Sequence, residues 1–169
     1  MIHLYCGDGK GKTTAAMGLA LRMAGRGHTV VIAQFLKGED SGERFALAHV
    51  PHITLLPLPR HLKFAFQMTQ EELQQEQLRN RNLLIQAVQL AKESSCKLLI
   101  LDEVCPAVSL HLLSLDELLS ALHSLSAEIV LTGRDPLPAL QNCADYITQF
   151  QKIRHPYDSG QFAREGVEY

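Results

Sequence analysis

The stretch that most constrains the fold is a glycine-rich turn, YCGDGKGKTTAA, from Tyr5 to Ala16. A short β-favouring segment, Ile2 to Cys6, precedes it, and a helical pattern runs from Thr13 to Gly27. Glycines between a strand and a helix let backbone N–H groups approach phosphate oxygens at the positive N-terminal end of the helix. The pattern therefore predicts a phosphate-binding loop, with a glycine-rich turn that binds no ligand as the alternative.

This loop departs from the usual phosphate-binding pattern, GxxxxGK[ST]. Gly11, Lys12 and Thr13 match its end, but its first glycine falls on Cys6, and Gly7 stands one place late. We expect a shortened or differently shaped loop, in which Lys12 neutralises phosphate oxygens and the Thr13 hydroxyl ligates Mg²⁺. The predicted phosphate-binding residues are Gly7, Asp8, Gly9, Lys10, Gly11, Lys12, Thr13 and Thr14.

Segments typical of strands and of helices alternate along the rest of the chain. The further predicted strands are 29–33, a short edge strand at 53–56, 97–101, 128–132 and 146–149. Helices are predicted from capping boxes at Thr69 and Ser114 to about Ser94 and Leu125, and at 138–143, with 37–68 otherwise irregular. The alternation predicts an α/β fold of the P-loop NTPase-like (RecA-like) type, a mainly parallel sheet with helices on both faces. We expect a single domain spanning residues 1–169.

Composition limits the classes of partner. Apolar residues make up 46% of the chain and charged residues 20%, values typical of a globular protein. The formal net charge of −2 gives no basic field, which disfavours nucleic acid as a partner. The 4 cysteines show no CxxC spacing, and no apolar run reaches the roughly 18 residues of a membrane span. We therefore expect a cytoplasmic protein with no membrane partner.

Two acidic residues follow the most apolar predicted strand. Asp102 and Glu103 come directly after residues 97–101, and Thr132-Gly133-Arg134 follows at the end of the next strand. In parallel sheets, ligands bind beyond the carboxyl ends of the strands. A carboxylate beside a phosphate loop can hold Mg²⁺ directly or through water, or polarise an attacking water. Thr13, Asp102 and Glu103 are the predicted metal ligands. The alternative is a polar strand end that merely enters a loop.

Five sequence blocks occur in order along the chain. They are GDGKGKTT from Gly7 to Thr14, QFLKG from Gln34 to Gly38, LDE from Leu101 to Glu103, LTGR from Leu131 to Arg134, and a closing block from Lys152 (KIRHPY) through Gly160, Ala163, Gly166 and Val167 to Glu168 and Tyr169. Together they resemble the P-loop type of ATP:corrinoid adenosyltransferase, enzymes that attach a 5′-deoxyadenosyl group to reduced cobalamin or its precursors. The displaced first glycine belongs to the resemblance, because the family's loop is similar to G-[DN]-G-K-G-K-T-T.

The resemblance implies substitution at the ribose 5′ carbon of ATP, with cobalt(I) as nucleophile, triphosphate as leaving group and ATP lying along the loop in the reverse sense. It also implies aromatic residues that lie under the corrin and displace its lower axial ligand. Phe64 matches the family's phenylalanine, whereas Phe66 stands where tryptophan is usual; packing into the core is the alternative role. The candidate contacts to phosphate or corrinoid are Lys37, Arg134, Arg154, His155 and Arg164, with a solvated surface as the alternative.

The implied ligands are ATP, Mg²⁺ and a reduced corrinoid, with a flavoprotein-type reductant as partner and a homodimer as the assembly common in the family. Three other interpretations stay open. A small-molecule kinase would use the same loop for γ-phosphoryl transfer, but it needs a base and an acceptor pocket. A non-catalytic, ATP-regulated corrinoid carrier would have the same binding residues. A RecA-like ATPase module would need an arginine finger and a DNA-binding loop.

Overall fold

The computed structural model describes residues 1–60, 63 and 65–167, which form a 6-stranded sheet with helices on both faces. The strands are β1 (Ile2–Cys6), β2 (Val30–Gln34), β3 (Ile53–Leu55), β4 (Leu98–Asp102), β5 (Glu128–Thr132) and β6 (Tyr146–Gln149). The α-helices are α1 (Lys12–Ala24), α2 (Gly42–Leu47), α3 (Gln70–Glu93), α4 (Val104–Ser109), α5 (Leu115–His123) and α6 (Pro138–Cys143). Short 3₁₀ helices lie at Ala65–Gln67 and Pro156–Ser159.

The strand order is β3–β2–β4–β5–β1–β6, and every neighbouring pair is parallel. The predicted parallel α/β architecture is therefore confirmed. Because β1, β2, β4 and β5 lie side by side in the middle of the sheet and point the same way, the loops after their carboxyl ends share one edge. The glycine-rich loop and the two acidic residues both lie on that edge.

The core lies on both faces of the sheet, as the near-continuous apolar strands predict. Alternate residues of a strand point to opposite faces. On one face, Leu99 and Leu101 of β4 belong to a cluster that includes buried residues of α3, α4 and α5. On the other, Leu98 and Ile100 pack in a cluster with Ala16 and Ala20 of α1. α1 is therefore held flat on the sheet, with its N-terminus at the loop edge.

The capping prediction for α3 is confirmed, and the one for α5 is only half right. The Thr69 Oγ1 atom accepts the Glu72 N–H at 3.3 Å, and Glu72 Oε2 accepts the Thr69 N–H at 2.9 Å. At α5, Ser114 Oγ accepts the Glu117 N–H at 3.4 Å. The Glu117 carboxylate, however, accepts from Arg81 of α3 at 2.7 Å instead of returning to the cap. Helix-to-helix pairing therefore replaces the local bond.

Two short helices lie where no helix was predicted. α2 occupies part of the segment 37–68 that was expected to be irregular, and α4 follows directly after β4. Each has only 6 residues, too few for a helical period to stand out in the sequence. α4 begins after Glu103, whose φ of 56° is left-handed, and Pro106 lies within its first turn. Packing rather than propensity places α4, since Val104, Cys105, Ala107 and Val108 are buried.

Some predictions fall outside the described residues. Phe64, predicted to lie under the corrin, is among them, as are Glu168 and Tyr169 of the closing block. Within the described part of the chain, no helix is both long enough and apolar enough to cross a membrane.

Candidate active site

The glycine-rich loop turns sharply between β1 and α1. Gly7 and Gly11 have φ angles of 99° and 115°, a left-handed region that favours glycine. Gly11 is the N-cap of α1, so the amides of the first turn, from Lys12 onward, have no carbonyl one turn earlier within the helix. These amides and the helix dipole present partial positive charge to the space beyond the loop.

Lys12, the first residue of α1, turns its side chain back into the loop and is only 8% exposed. Its Nζ atom donates to the carbonyl oxygens of Gly7 at 2.7 Å and Gly9 at 2.9 Å. Burial lowers the pKa of Lys12, an effect that the Glu103 carboxylate partly offsets. The loop thus holds a desolvated ammonium group close to the first amides of α1, where an anion gains most from it.

Two of the loop glycines use their amides within the protein. Gly7 N–H donates to the Arg134 carbonyl at 2.9 Å, and Gly9 N–H donates to the Phe150 carbonyl at 2.7 Å. The second bond ties the loop to the chain after β6, residues 150–167, which we call the tail. The Gly7 and Gly9 amides are therefore engaged within the protein, whereas the residues nearer α1, from Lys10 to Thr14, line the open space beyond the loop.

Asp102, at the end of β4, is fully buried and accepts hydrogen bonds at both oxygens. Oδ1 accepts from the hydroxyl groups of Thr13 at 2.9 Å and Thr132 at 2.7 Å. Oδ2 accepts from Lys37 Nζ at 2.8 Å and from Gln34 Nε2 at 3.2 Å. Asp102 therefore lies behind Thr13 and sets the orientation of its hydroxyl.

Lys37 links this cluster to α2. Its Nζ atom lies 3.2 Å from Glu43 Oε1 and 3.4 Å from Thr13 Oγ1, besides its bond to Asp102. Burial by itself lowers the pKa of Lys37, but the carboxylates of Asp102 and Glu43 outweigh it and raise that pKa above its usual range. Arg44, also on α2, donates to Gln34 Oε1 at 2.8 Å. α2 is thus fastened to the carboxyl ends of β2 and β4.

Sequence reasoning did not assign roles to Gln34, Glu43 or Thr132, although each contacts a predicted site residue. Gln34 and Thr132 lie in the QFLKG and LTGR blocks, so their position in those blocks was the available signal. Glu43 lies on the unpredicted helix α2, so only the fold reveals its contact with Lys37.

Of Asp102 and Glu103, the half-buried Glu103 is the one that lines an open cleft. Its N–H donates to Thr132 Oγ1 at 2.8 Å, which holds its backbone in the left-handed conformation. Burial, reinforced by the charge of Asp102, raises the pKa of Glu103. Burial raises the pKa of the neighbouring Cys105 thiol to about 12, which disfavours the thiolate form that a nucleophile requires.

An open cleft of about 1140 Å³ joins the predicted residues. It is lined by the loop from Asp8 to Thr14, by Lys37, Glu103, Arg134 and His155, and by further residues of α2 and the tail. Phe66, 83% exposed, is not among the lining residues, nor are the exposed Arg154 and Arg164. The structure therefore brings together the glycine-rich loop, the predicted acidic residue Glu103 and three candidate cationic or imidazole contacts, Lys37, Arg134 and His155.

The donors in the cleft suit a hard cation that also binds phosphate. Within the described ranges, no group of three or more His, Cys, Asp and Glu side chains is placed to hold a metal ion unaided. Mg²⁺ usually takes one or two protein oxygens and completes its shell with phosphate oxygens and water. The Thr13 hydroxyl and the Glu103 carboxylate, both lining the cleft, fit that requirement.

Fold and site together define a P-loop nucleotide-binding protein. A KaiC-like protein from the hyperthermophilic archaeon Pyrococcus horikoshii OT3 has a similar fold, with a TM-score of 0.51 and 16% identity, over 99% of this chain and 66% of that one. This likeness confirms the P-loop NTPase-like (RecA-like) fold.

The family model for ATP:corrinoid adenosyltransferase BtuR/CobO/CobP matches residues 1–169, and the chain belongs to that family. A corrinoid adenosyltransferase of Escherichia coli (strain K12) is 30% identical over 172 residues, which cover 100% of this chain and 85% of that protein. The corrinoid adenosyltransferase CobA of Salmonella typhimurium (strain LT2) is 28% identical over 177 residues, again covering 100% and 85%. The predicted resemblance is confirmed: the protein is a transferase that acts on ATP and a corrinoid.

Proposed function

We propose that the cleft binds ATP with its triphosphate on the glycine-rich loop and presents the ribose 5′ carbon to the cobalt(I) of a corrinoid. The convergence of Lys12, the N-terminus of α1, Glu103 and Arg134 on one cleft carries this proposal. Lys10 to Thr14 contact the phosphates, and Gly7, Asp8 and Gly9 shape the loop. Lys37, Arg134 and His155 line the same cleft as further contacts, with Arg154 and Arg164 left as corrinoid contacts outside it.

The proposed reaction forms a cobalt–carbon bond at C5′ and breaks the bond from C5′ to the triphosphate oxygen. Cobalt(I) supplies the electron pair, and the triphosphate leaves with the pair of the broken bond. Negative charge therefore develops at the α end of the triphosphate. Preorganised cations stabilise such charge most when they are desolvated, which describes Lys12.

We assign Mg²⁺ to Thr13 and Glu103, with Asp102 acting from behind through the Thr13 hydroxyl. The ion would neutralise part of the triphosphate charge. The protein itself orients the Thr13 hydroxyl and the Glu103 carboxylate toward the proposed position of the phosphate oxygens.

Glu103→Gln is expected to raise the Mg²⁺ concentration needed for half-maximal ATP binding about tenfold, because a neutral amide is a weaker ligand than a carboxylate. Calorimetric titrations of ATP at a series of Mg²⁺ concentrations measure this shift. Glu43→Gln is the matched control, since Glu43 also lines the cleft but bonds to Lys37. An unchanged titration in the Glu103 variant would remove this residue from the metal site.

We propose that Phe66, with Phe64, lies under the corrin and displaces its lower axial ligand. Phe66 is 83% exposed, as a side chain that meets a ligand has to be before binding. Phe66→Ala is expected to lower turnover from enzymatically reduced cobalt(II) much more than turnover from chemically prepared cobalt(I). Phe45→Ala, another exposed phenylalanine, serves as control. Equal losses from the two starting states would count against this role.

We propose one domain over residues 1–169, a homodimer, a flavoprotein-type reductant and a cytoplasmic location. A single sheet with core clusters on both faces supports the first. Cys6, Cys96, Cys105 and Cys143 are free thiols, which suits a reducing compartment.

The reaction is tested by mixing the protein with MgATP and chemically reduced cobalamin under anoxic conditions. A light-sensitive adenosylated product, with triphosphate as the phosphate product, is the expected outcome. Binding of both ligands without turnover would favour a carrier. Release of ADP would favour a kinase or an ATPase.

A further inference from the structure

Asp8 lies in a loop that we propose holds a triphosphate. Its carboxylate and the phosphate oxygens both carry negative charge, so they would repel each other at close range. Its side chain, however, is already engaged: Oδ1 accepts the backbone N–H of Lys152 at 2.9 Å. This hydrogen bond is the main cause that lowers the pKa of Asp8, so the carboxylate is ionised at neutral pH. The charge of Asp8 is therefore directed at the tail.

The backbone of the tail packs directly against the loop glycines. A Cβ atom at Gly7 would overlap the Phe150 carbonyl oxygen, and one at Gly9 would lie 2.8 Å from the Gln151 carbonyl carbon. No side chain fits at such distances, so these glycines permit the tail to approach. The hydrogen bond from the Lys152 N–H to Asp8 continues this contact, because Lys152 is the residue after Gln151.

Beyond Lys152 the backbone of the tail bonds to itself. Among the described residues, the backbone–backbone hydrogen bonds made after Lys152 join tail residues to one another. The Lys152 ammonium also pairs with Asp158 within the tail, at 3.0 Å. Yet this segment lines the cleft beside the loop, through Lys152, His155, Tyr157, Asp158, Gly166 and Val167. The bond that holds Lys152 therefore helps to position this wall of the cleft.

We propose that Asp8 is a positioning residue that tethers the tail to the phosphate loop and so fixes one wall of the cleft. The inference rests on the proposed function only in taking the cleft to be the ATP site. What the contact requires is an acceptor oxygen aimed at the Lys152 N–H. Asparagine at position 8 keeps such an oxygen without the charge, whereas alanine removes it.

The tether is tested on the full chain without nucleotide, by hydrogen exchange of peptides from residues 151–167 and by the rate of tryptic cleavage after Lys152 and Arg154. Asp8→Ala is expected to increase both about fivefold, the size expected from the loss of one net hydrogen bond. Asp8→Asn is expected to stay within about twofold of the parent protein, because it preserves the acceptor. Unchanged exchange in the core strands shows that each variant is folded.

Two results would overturn the proposal: a tail equally protected in Asp8→Ala, or a tail as labile in Asp8→Asn as in Asp8→Ala. A kinetic readout then separates positioning from mere stability. Asp8→Ala should raise the KM for MgATP more than it lowers kcat, and Asp8→Asn should restore KM. Because tail exchange is measured without ligand, failure of the proposed function would show instead as no MgATP binding by the unaltered protein.

Discussion

Replacing Lys12 by alanine is expected to weaken MgATP binding and to lower turnover at least about 100-fold, as removal of a main charge-stabilising group in a catalytic site does. Lys12 is 8% exposed, and its ammonium group donates to the carbonyls of Gly7 and Gly9. A desolvated cation interacts more strongly with a triphosphate than a solvated one. Calorimetric titration with MgATP and steady-state kinetics with cobalt(I) corrinoid measure the two losses.

Lys10→Ala provides the matched control, because it removes the same formal charge from the same loop and keeps the backbone N–H that we assign to the phosphates. Lys10 is exposed, and exposed charges contribute little, so its loss should stay below about tenfold. A thermal melt of each variant separates loss of function from loss of fold. Turnover of Lys12→Ala within tenfold of the parent protein would remove Lys12 from the phosphate site.

The strands could be predicted from the sequence because most of them are continuous apolar runs, as expected of strands buried on both faces of a parallel sheet. Residues 97–101 were predicted as a buried strand, and β4 runs from Leu98 to Asp102. The long helix was also predictable, since its 24 residues begin at a complete capping box. α2 and α4 were missed because a helix of 6 residues leaves no periodic signal and is stabilised by its contacts.

The site was predictable in part for a different reason. Local patterns placed Lys12 and Glu103 at loops after strands, and the topology then brought these residues to one cleft. Partnerships between distant residues were not predictable. Lys37 bonds to Asp102, 65 residues away, and Asp8 bonds to Lys152, 144 residues away, and neither spacing is encoded in a motif. The role that we propose for Asp8 depends on its contact with the tail, which only the fold reveals.

Replacing Asp102 by alanine is expected to destabilise the fold by about 3 to 5 kcal/mol, the usual cost of removing one partner from a buried ion pair. The carboxylate is fully buried and accepts from Thr13, Thr132, Gln34 and Lys37. Its removal leaves the Lys37 ammonium in a desolvated position with Glu43 as its remaining carboxylate. Such a loss is a large fraction of the roughly 5–15 kcal/mol that stabilises an ordinary domain. Urea unfolding of the parent and variant proteins measures it.

Lys37→Met and the double variant complete a thermodynamic cycle around this pair. If Lys37 and Asp102 stabilise each other, the double variant should lose less than the sum of the two single losses, by at least about 1 kcal/mol. The physical reason is that the second substitution removes a charge that the first left with Glu43 as its remaining carboxylate partner. Additive losses would mean that the hydrogen bonds from the Thr13 and Thr132 hydroxyls to Asp102, and not the ion pair, carry the stabilisation. Since Thr13 is held by the same carboxylate, Asp102→Ala should also weaken MgATP binding at urea concentrations where the variant is still folded.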